Sequence, residues 1–467
     1  MKQINLLLAA VCLLAASHSQ AAGKPNMIVI NTDDLGYGDI GPFGSKLNRT
    51  PALDRMAAEG CKLTCFYAAP CCSPSRAALM TGCYPKRVLP IPGVLFPANS
   101  IGLHPNEITV AELLKARGYV TGMVGKWHLG DQPEFLPTRQ GFDSFFGLPY
   151  SNDMGPAEDG VKSSLGAPLP KTKGKGQPPL PWLRNEKVVK RVLADDQTTL
   201  VARYTEEAVK FIKANKDRPF FFYFAHSAVH FPIYPGKAFQ GRSRNGSYGD
   251  WVEEVDWSVG QVLDTLRELK LDHNTIVLFT SDNGGTRRAV NAPLRGFKGS
   301  TWEGGMREPT IAWWPGKIPA GSATDAITGM IDVLPTLVKL AGGNVTEDHK
   351  KIDGGDIWPL LAGQPGAKSP HDVFYYFSGL QLQAVRSGSW KLHLAKNELY
   401  DLAADIGEST SVAADHPDIV KRLRGLADAM KDDLGLDGIG PGCRPLGKVA
   451  DPQPIINLDG SVRPEFR

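Results

Sequence analysis

Asn26-Met27-Ile28-Val29-Ile30-Asn31-Thr32-Asp33-Asp34-Leu35-Gly36-Tyr37-Gly38 joins an unbroken apolar run to two adjacent carboxylates and a pair of glycines. Such a run predicts a strand buried on both faces, the kind found in parallel sheets. The ends of those strands are where open α/β sheets hold ligands. A solvated turn is also rich in Asp and Gly, so this stretch alone does not decide the matter. Repetition does. Residues 119–124 run into Gly125-Lys126-Trp127-His128-Leu129-Gly130, residues 219–224 into Ala225-His226-Ser227-Ala228-Val229-His230, and residues 275–280 into Ser281-Asp282-Asn283-Gly284-Gly285. In a parallel sheet these four ends share one edge, and their joint arrival there outweighs any one of them.

Helical segments alternate with the strands. Thr50-Pro51 opens a helix through residue 56 that Gly60 closes, and Thr109 with Glu112 forms a capping box for residues 110–117. Residues 199–214 and 251–269 carry a helical period. The alternation persists to about residue 361 and predicts an α/β fold, a large, mostly parallel sheet flanked by helices. A Gly/Pro linker at residues 363–369 precedes short strands at 373–377, 383–386 and 390–394 and a helix at 419–431, read as a smaller α+β domain with an antiparallel sheet. Residues from 434 onward read as an irregular, surface-wrapping tail. Residues 155–190, rich in Pro, Gly and Lys, read as a long basic loop, either a substrate wall or a surface excursion.

At 467 residues the chain has room for a large domain and a small one, and 42% hydrophobic with 22% charged residues is ordinary globular composition. A formal charge of +3 gives no argument for nucleic acid. Residues 1–22 have a lysine, an apolar run and a Ser19-Gln20-Ala21 small-residue site, the pattern of a secretory signal. No later stretch is long and apolar enough to span a membrane, so an exported, periplasmic or secreted protein is expected. The domain reading is therefore 1–22 signal, 23–365 main domain, 366–467 smaller domain. Of seven cysteines, Cys12 lies in the signal; Cys61, Cys65, Cys71, Cys83 and Cys443 leave room for one or two disulfides of unassigned pairing.

The last piece is Cys71-Cys72-Ser73-Pro74-Ser75-Arg76-Ala77-Ala78-Leu79-Met80-Thr81-Gly82. Ser73 is read as N-cap, Pro74 as the first helical residue and Gly82 as the stop, which sets Cys72 at a helix's positive end with Arg76 one turn on. A buried structural cysteine is the plain alternative. Asp33, Asp34, Asp282 and Asn283 offer only oxygen ligands, a set that suits Ca²⁺, with Mg²⁺ the alternative, rather than zinc. Arg76, Lys126 and Lys298, the last in the loop Gly296-Phe297-Lys298-Gly299, supply positive charge, and His128 and His230 proton transfer.

The Cys-x-Pro-Ser-Arg wording, with Asp33 to Asp39, Gly125 to Gly130, Ser281 to Gly285, Lys298 to Pro309, Gly141 to Ser151 and Ala312 to Gly316, resembles the formylglycine-dependent (type I) sulfatases, in their arylsulfatase A and N-acetylgalactosamine-6-sulfatase branch. The likeness runs from about residue 25 to 408. It implies an alkaline phosphatase-like fold and a Cys72 oxidised to an aldehyde by a formylglycine-generating maturation enzyme. It further implies that the hydrated aldehyde attacks sulfur, that His230 or Lys298 protonates the leaving alcohol, and that His128 draws the proton that lets sulfate depart. Ser151 and His226 are expected to touch substrate. A phosphatase or phosphonate hydrolase of the same superfamily would show two metals, more histidine ligands, or a Thr or Ser nucleophile. A non-catalytic glycan-binding protein could lose Cys72 and His128. The basic stretch at residues 171–175 favours a sulfated carbohydrate substrate over a simple aryl sulfate.

Overall fold

In the computed structural model, which describes residues 23–168, 176–345 and 350–467, every residue of β1 (Asn26–Thr32) is buried. The same holds for Phe220–Ala225 and Thr275–Ser281. The two-residue period of a strand divides their side chains between two cores. Met27, Val29, Phe221 and Tyr223 face one, while Ile28, Ile30, Phe220, Phe222 and Phe224 face the other. Each buried aromatic or aliphatic side chain contributes about 1.5–3 kcal/mol.

Numbered along the chain, the main strands are β1, β2 (Cys61–Tyr67), β3 (Val120–Lys126), β4 (Ser144–Leu148), β5 (Pro181–Arg184), β6 (Lys187–Arg191), β7 (Phe220–Ala225), β8 (Thr275–Ser281), β9 (Arg307–Trp313) and β10 (Ser322–Thr324). They form one sheet in the order β10-β2-β9-β8-β1-β7-β3-β4-β5-β6, with Thr328–Gly329 also pairing on β2. The centre, β8-β1-β7-β3-β4, is parallel throughout, whereas β9 runs antiparallel to both its neighbours. The sheet is thus mixed and mostly parallel, and the C-terminal ends of β1, β3, β7 and β8 lie along one edge, as the sequence predicts.

Helices cover both faces. The helix α4 (Leu200–Ala214) turns Leu200, Val201, Tyr204, Ala208 and Ile212 inward at three- and four-residue spacing. Its Phe211 ring stacks on Phe222 of β7 at 4.7 Å. Before it come α1 (Pro51–Glu59), α2 (Cys72–Thr81) and α3 (Val110–Lys115), the last with the expected Thr109–Glu112 capping box. After it come α5 (Gly246–Glu268), α6 (Val333–Leu340) and, near the C-terminus, α7 (Pro417–Asp428).

A second, antiparallel sheet has four strands rather than three: β11 (Phe374–Ser378), β12 (Gln381–Ser387), β13 (Trp390–His393) and β14 (Glu398–Asp401). The hairpin to β14 turns at Asn397, which takes a positive φ of 56° that asparagine tolerates. Two more readings need correction. The end of the supposed loop at 155–190 forms the β5–β6 hairpin, turning at Asn185 (φ 55°) and extending the main sheet antiparallel. The tail after residue 434 is docked rather than loosely wrapped. Gly447–Lys448 pairs with Ile101–Gly102, and Ile455, Ile456 and Phe466 are buried.

The six cysteines among the described residues are all free thiols, so the disulfides the sequence left room for are not formed there. No helix of the described residues is long and apolar enough to cross a membrane. The expected signal at 1–22 and the basic stretch at 171–175 lie outside the described residues.

Candidate active site

The Cys72 helix starts two residues earlier than its sequence suggests. Cys71, in extended backbone, is the N-cap residue, and Cys72 is already the first helical residue. Ser73 is free for another task because its hydroxyl accepts the Leu95 N–H at 3.1 Å. Gly82, with φ 69°, ends the helix as expected. Cys72 is buried, its Sγ 3.4 Å from Lys298 Nζ and 3.6 Å from Asp33 Oδ1. Burial foremost, then Asp282 and Asp33, pushes the thiol pKa well above its ordinary value. The thiol is therefore protonated at neutral pH and is a weak nucleophile as it stands.

Around it the strand ends deliver three carboxylates and Lys126, the Cys72 helix delivers Arg76, and a loop delivers Lys298. Arg76 donates from Nε and Nη2 to Asp282 Oδ2 at 2.9 and 2.7 Å, from Nη2 to Asp33 at 3.0 Å, and from Nη1 to the Lys126 carbonyl at 2.6 Å. Lys126 Nζ lies 2.5 Å from Asp33 Oδ2 and 3.4 Å from Ser151 Oγ. Lys298 Nζ lies 2.6 Å from Asp34 Oδ1. Burial opposes ionisation of Asp33, but Lys126, His230, Arg76 and Lys298 outweigh it and hold the carboxyl well below the usual range. Burial likewise opposes the charge of Lys298, and Asp34 foremost raises its pKa well above the ordinary value. Asp34 itself sits at φ 63°, the left-handed conformation that Asp tolerates better than most residues.

The two histidines differ. His128 (φ 64°) is buried, its Nε2 2.9 Å from the Leu95 carbonyl and its Nδ1 without a partner among the described residues. Burial, then Lys126 and Arg76, drives its pKa well below the ordinary value, so it is a neutral imidazole. His230 is partly exposed. Its Nδ1 lies 3.2 Å from Ser151 Oγ and 2.5 Å from the Phe231 carbonyl, and its Nε2 lies 3.8 Å from Asp34 Oδ2.

Four of the residues could hold a metal ion. Asp33, Asp34, Cys72 and His230 present ligand atoms within 4.8 Å of one another. Asn283 donates to Asp34 Oδ1 at 2.7 Å, while its own Oδ1 is buried with no partner among the described residues, and one amide rotation exchanges the two. Asp282 keeps Oδ1 near the Asp34 N–H at 3.5 Å while Oδ2 holds Arg76.

Eleven of the twelve residues singled out from the sequence thus adjoin one centre. The exception is His226, whose Nε2 lies 3.3 Å from Ser258 Oγ of α5 and whose ring packs on Phe224. Burial lowers its pKa to about 3, and it is a neutral core residue. Missed altogether was Glu308 on β9. It is buried, neither carboxylate oxygen has a partner among the described residues, and burial, then Asp282 and Asp34, pushes its pKa well above the ordinary range. Its one sequence signal was a glutamate inside an otherwise buried run.

The sulfatase family profile matches residues 25–343. The chain belongs to the sulfatase family. It is 39% identical to human arylsulfatase A over 90% of each chain. It is 40% identical to dog N-acetylgalactosamine-6-sulfatase over 82% of this chain and 74% of that one. Among solved structures it is similar to the PsFucS1 sulfatase from Pseudoalteromonas sp., with a TM-score of 0.77, 30% identity, and coverage of 89% and 92%. This sulfatase is accordingly a sulfuric ester hydrolase of alkaline phosphatase-like fold.

Proposed function

We propose that the protein hydrolyses sulfate monoesters of carbohydrates, with residue 72 oxidised to formylglycine and one divalent cation, Ca²⁺ in preference to Mg²⁺, bound nearby. The observation that carries this reading is the Cys72 side chain. It is a protonated thiol lying between Lys298 and the Asp33 carboxylate, in a family whose relatives are named sulfatases. The hydrated aldehyde supplies one hydroxyl to bond sulfur and a second through which sulfate is later released. The cation, held by Asp33, Asp34, Asp282 and Asn283, supplies positive charge for sulfate oxygens.

The chain's own residues do the rest. Lys298 and Lys126 present ammonium groups to the negative charge that grows on the sulfuryl oxygens. Arg76 is committed to Asp282 and Asp33, so its part is to hold two carboxylates in register rather than to reach the substrate. His230, partly exposed and oriented by Ser151 and the Phe231 carbonyl, is placed to protonate the leaving alcohol. Neutral His128 is suited to take a proton, its ring fixed through the Leu95 carbonyl.

A carbohydrate substrate is supported by the N-acetylgalactosamine-6-sulfatase relatives and by the basic residues 171–175. The likeness to arylsulfatase A supports the alternative, a general arylsulfatase. In the cell we infer a signal at 1–22 and an exported enzyme, matured by a formylglycine-generating enzyme, with a catalytic domain at 23–365 and a smaller domain at 366–467. The test is sulfate release from defined sulfated oligosaccharides, an aryl sulfate and an aryl phosphate. Release from an oligosaccharide supports the reading. Efficient turnover of the aryl sulfate alone leaves a general arylsulfatase, and preference for the aryl phosphate contradicts both.

A further inference from the structure

Solvent reaches the catalytic cluster at Lys298 and His230. The Asp33, Arg76 and Lys126 side chains are fully buried, whereas Lys298 keeps 22% and His230 13% of its surface. The mouth therefore lies beside those two residues. Each is followed or preceded by an aromatic residue, Phe297 before Lys298 and Phe231 after His230. On each of those rings sits an arginine from the loop that continues from Asp282 and Asn283. The Arg287 guanidinium lies 4.1 Å from the Phe297 ring centre, and that of Arg288 lies 5.3 Å from the Phe231 ring centre. The loop is tied to the Lys298 segment by the Lys298 N–H to Gly285 carbonyl bond at 3.1 Å.

Both arginines are exposed, and among the described residues neither forms an ion pair. Arg49, Arg139 and Arg184, also exposed, each hold a glutamate within 3 Å, whereas Arg203 and Arg242 lie on rings as Arg287 and Arg288 do, but away from the catalytic residues. A guanidinium lying on a ring keeps its N–H edge free, and its planar fork matches the geometry of an oxyanion. Stacking also settles part of the side chain's entropy before any ligand arrives.

We propose that Arg287 and Arg288 form a second anion subsite at the mouth, which engages a further sulfate or carboxylate of the saccharide whose scissile sulfate lies against Lys298. The subsite rests on the sulfatase reading above and narrows its substrate to polyanionic saccharides. The two guanidiniums stand on rings next in sequence to different catalytic residues, Lys298 and His230.

Turnover of 4-nitrophenyl sulfate by the mature enzyme is measured with inorganic sulfate and with a dextran sulfate oligosaccharide as inhibitors. In the R287A/R288A double variant the ratio of the dextran sulfate Ki to the inorganic sulfate Ki is expected to rise about tenfold, the loss of roughly one charge-assisted bond. The R287K/R288K variant should recover part of it. An unchanged ratio, or an equal rise in both constants, overturns the subsite. If the wild type releases sulfate neither from the aryl sulfate nor from any sulfated oligosaccharide, the sulfatase reading fails instead. Calorimetric binding of the same oligosaccharide to wild type and double variant then decides the subsite by itself, unequal affinity supporting it and equal affinity overturning it.

Discussion

Two buried ion clusters stand in this molecule, built from the same kinds of side chain and finished differently. At the strand ends Asp33, Asp34 and Asp282 meet Arg76, Lys126 and Lys298. Where the small sheet meets the main one, Glu303 and Glu408 meet Lys391, Arg307, Arg386 and His393. The second cluster is closed. Glu303 accepts from Tyr67 at 2.6 Å, Lys391 at 2.8 Å and Tyr376 at 3.2 Å, and Glu408 accepts the Glu303 N–H at 2.7 Å. Arg386 donates to Tyr67, and Lys391 also holds the Thr301 carbonyl at 2.8 Å. Among the described residues no member of the second cluster leaves a buried polar atom unpaired, whereas beside the first Asn283 Oδ1 and His128 Nδ1 have no partner. A satisfied network specifies one packing; an unsatisfied one is available for a ligand and for protons. The closed cluster also grips residues 295–303 through Arg295 to the Glu408 carbonyl at 2.6 Å, so it steadies the segment that carries Lys298.

The contrast breaks if the closed cluster proves dispensable. Lys391→Met should cost about 3–5 kcal/mol of stability, because it strands Glu303 and Glu408 in the interior. Chemical denaturation of wild type and variant reads this directly, and a cost below about 1 kcal/mol would show the network to be ornamental. Next in size is Lys298→Ala, which should lower kcat about 10²–10³-fold with little loss of stability, since its ammonium stabilises charge in the transition state. A variant that unfolds as readily as Lys391→Met would erase the distinction between the two clusters. A third test adds the ion. Ca²⁺ at about a hundred times its Kd should stabilise the protein by about 2.7 kcal/mol, seen as a rise in Tm. Asn283→Ala should weaken that response, and Lys391→Met should keep it.

The smallest effect lies outside both clusters. Burial raises Glu254 to about 7, its Oε2 accepting the Gly236 N–H at 2.7 Å. The folded pKa exceeds the unfolded one, so the native state binds the extra proton between pH ~4.5 and ~7, and the residue's contribution falls as pH rises through that window. Glu254→Gln should therefore gain on the wild type by about 1–3 kcal/mol between pH 5 and pH 8. A stability difference independent of pH would contradict it.

The two clusters were not equally legible. Much of the first announced itself because Asp33, Asp34, Lys126 and Asp282 follow apolar runs of strand length, while Arg76 and Lys298 came from a helix and a glycine-rich loop. His226 stood at such an end too, yet the strand's alternation turns it toward Ser258 and α5. The second cluster was invisible because its pairs join Glu303 to residues 88 and 105 positions away, with no motif at either end. The β5–β6 hairpin was masked by its lysines and prolines, which read as loop although Trp182 and Leu183 are buried. Arg76 was read as part of a substrate-facing field. Its guanidinium is spent on Asp33, Asp282 and a backbone carbonyl, partners that only the folded chain brings to it.

The account turns on residue 72. Mass spectrometry of the peptide spanning residues 72–76, taken from a preparation whose sulfate-ester turnover has been measured, tests it most directly. An aldehyde or its hydrate at position 72, in a fraction that tracks specific activity across preparations, is the predicted result. An unmodified thiol throughout a fully active preparation would contradict the account.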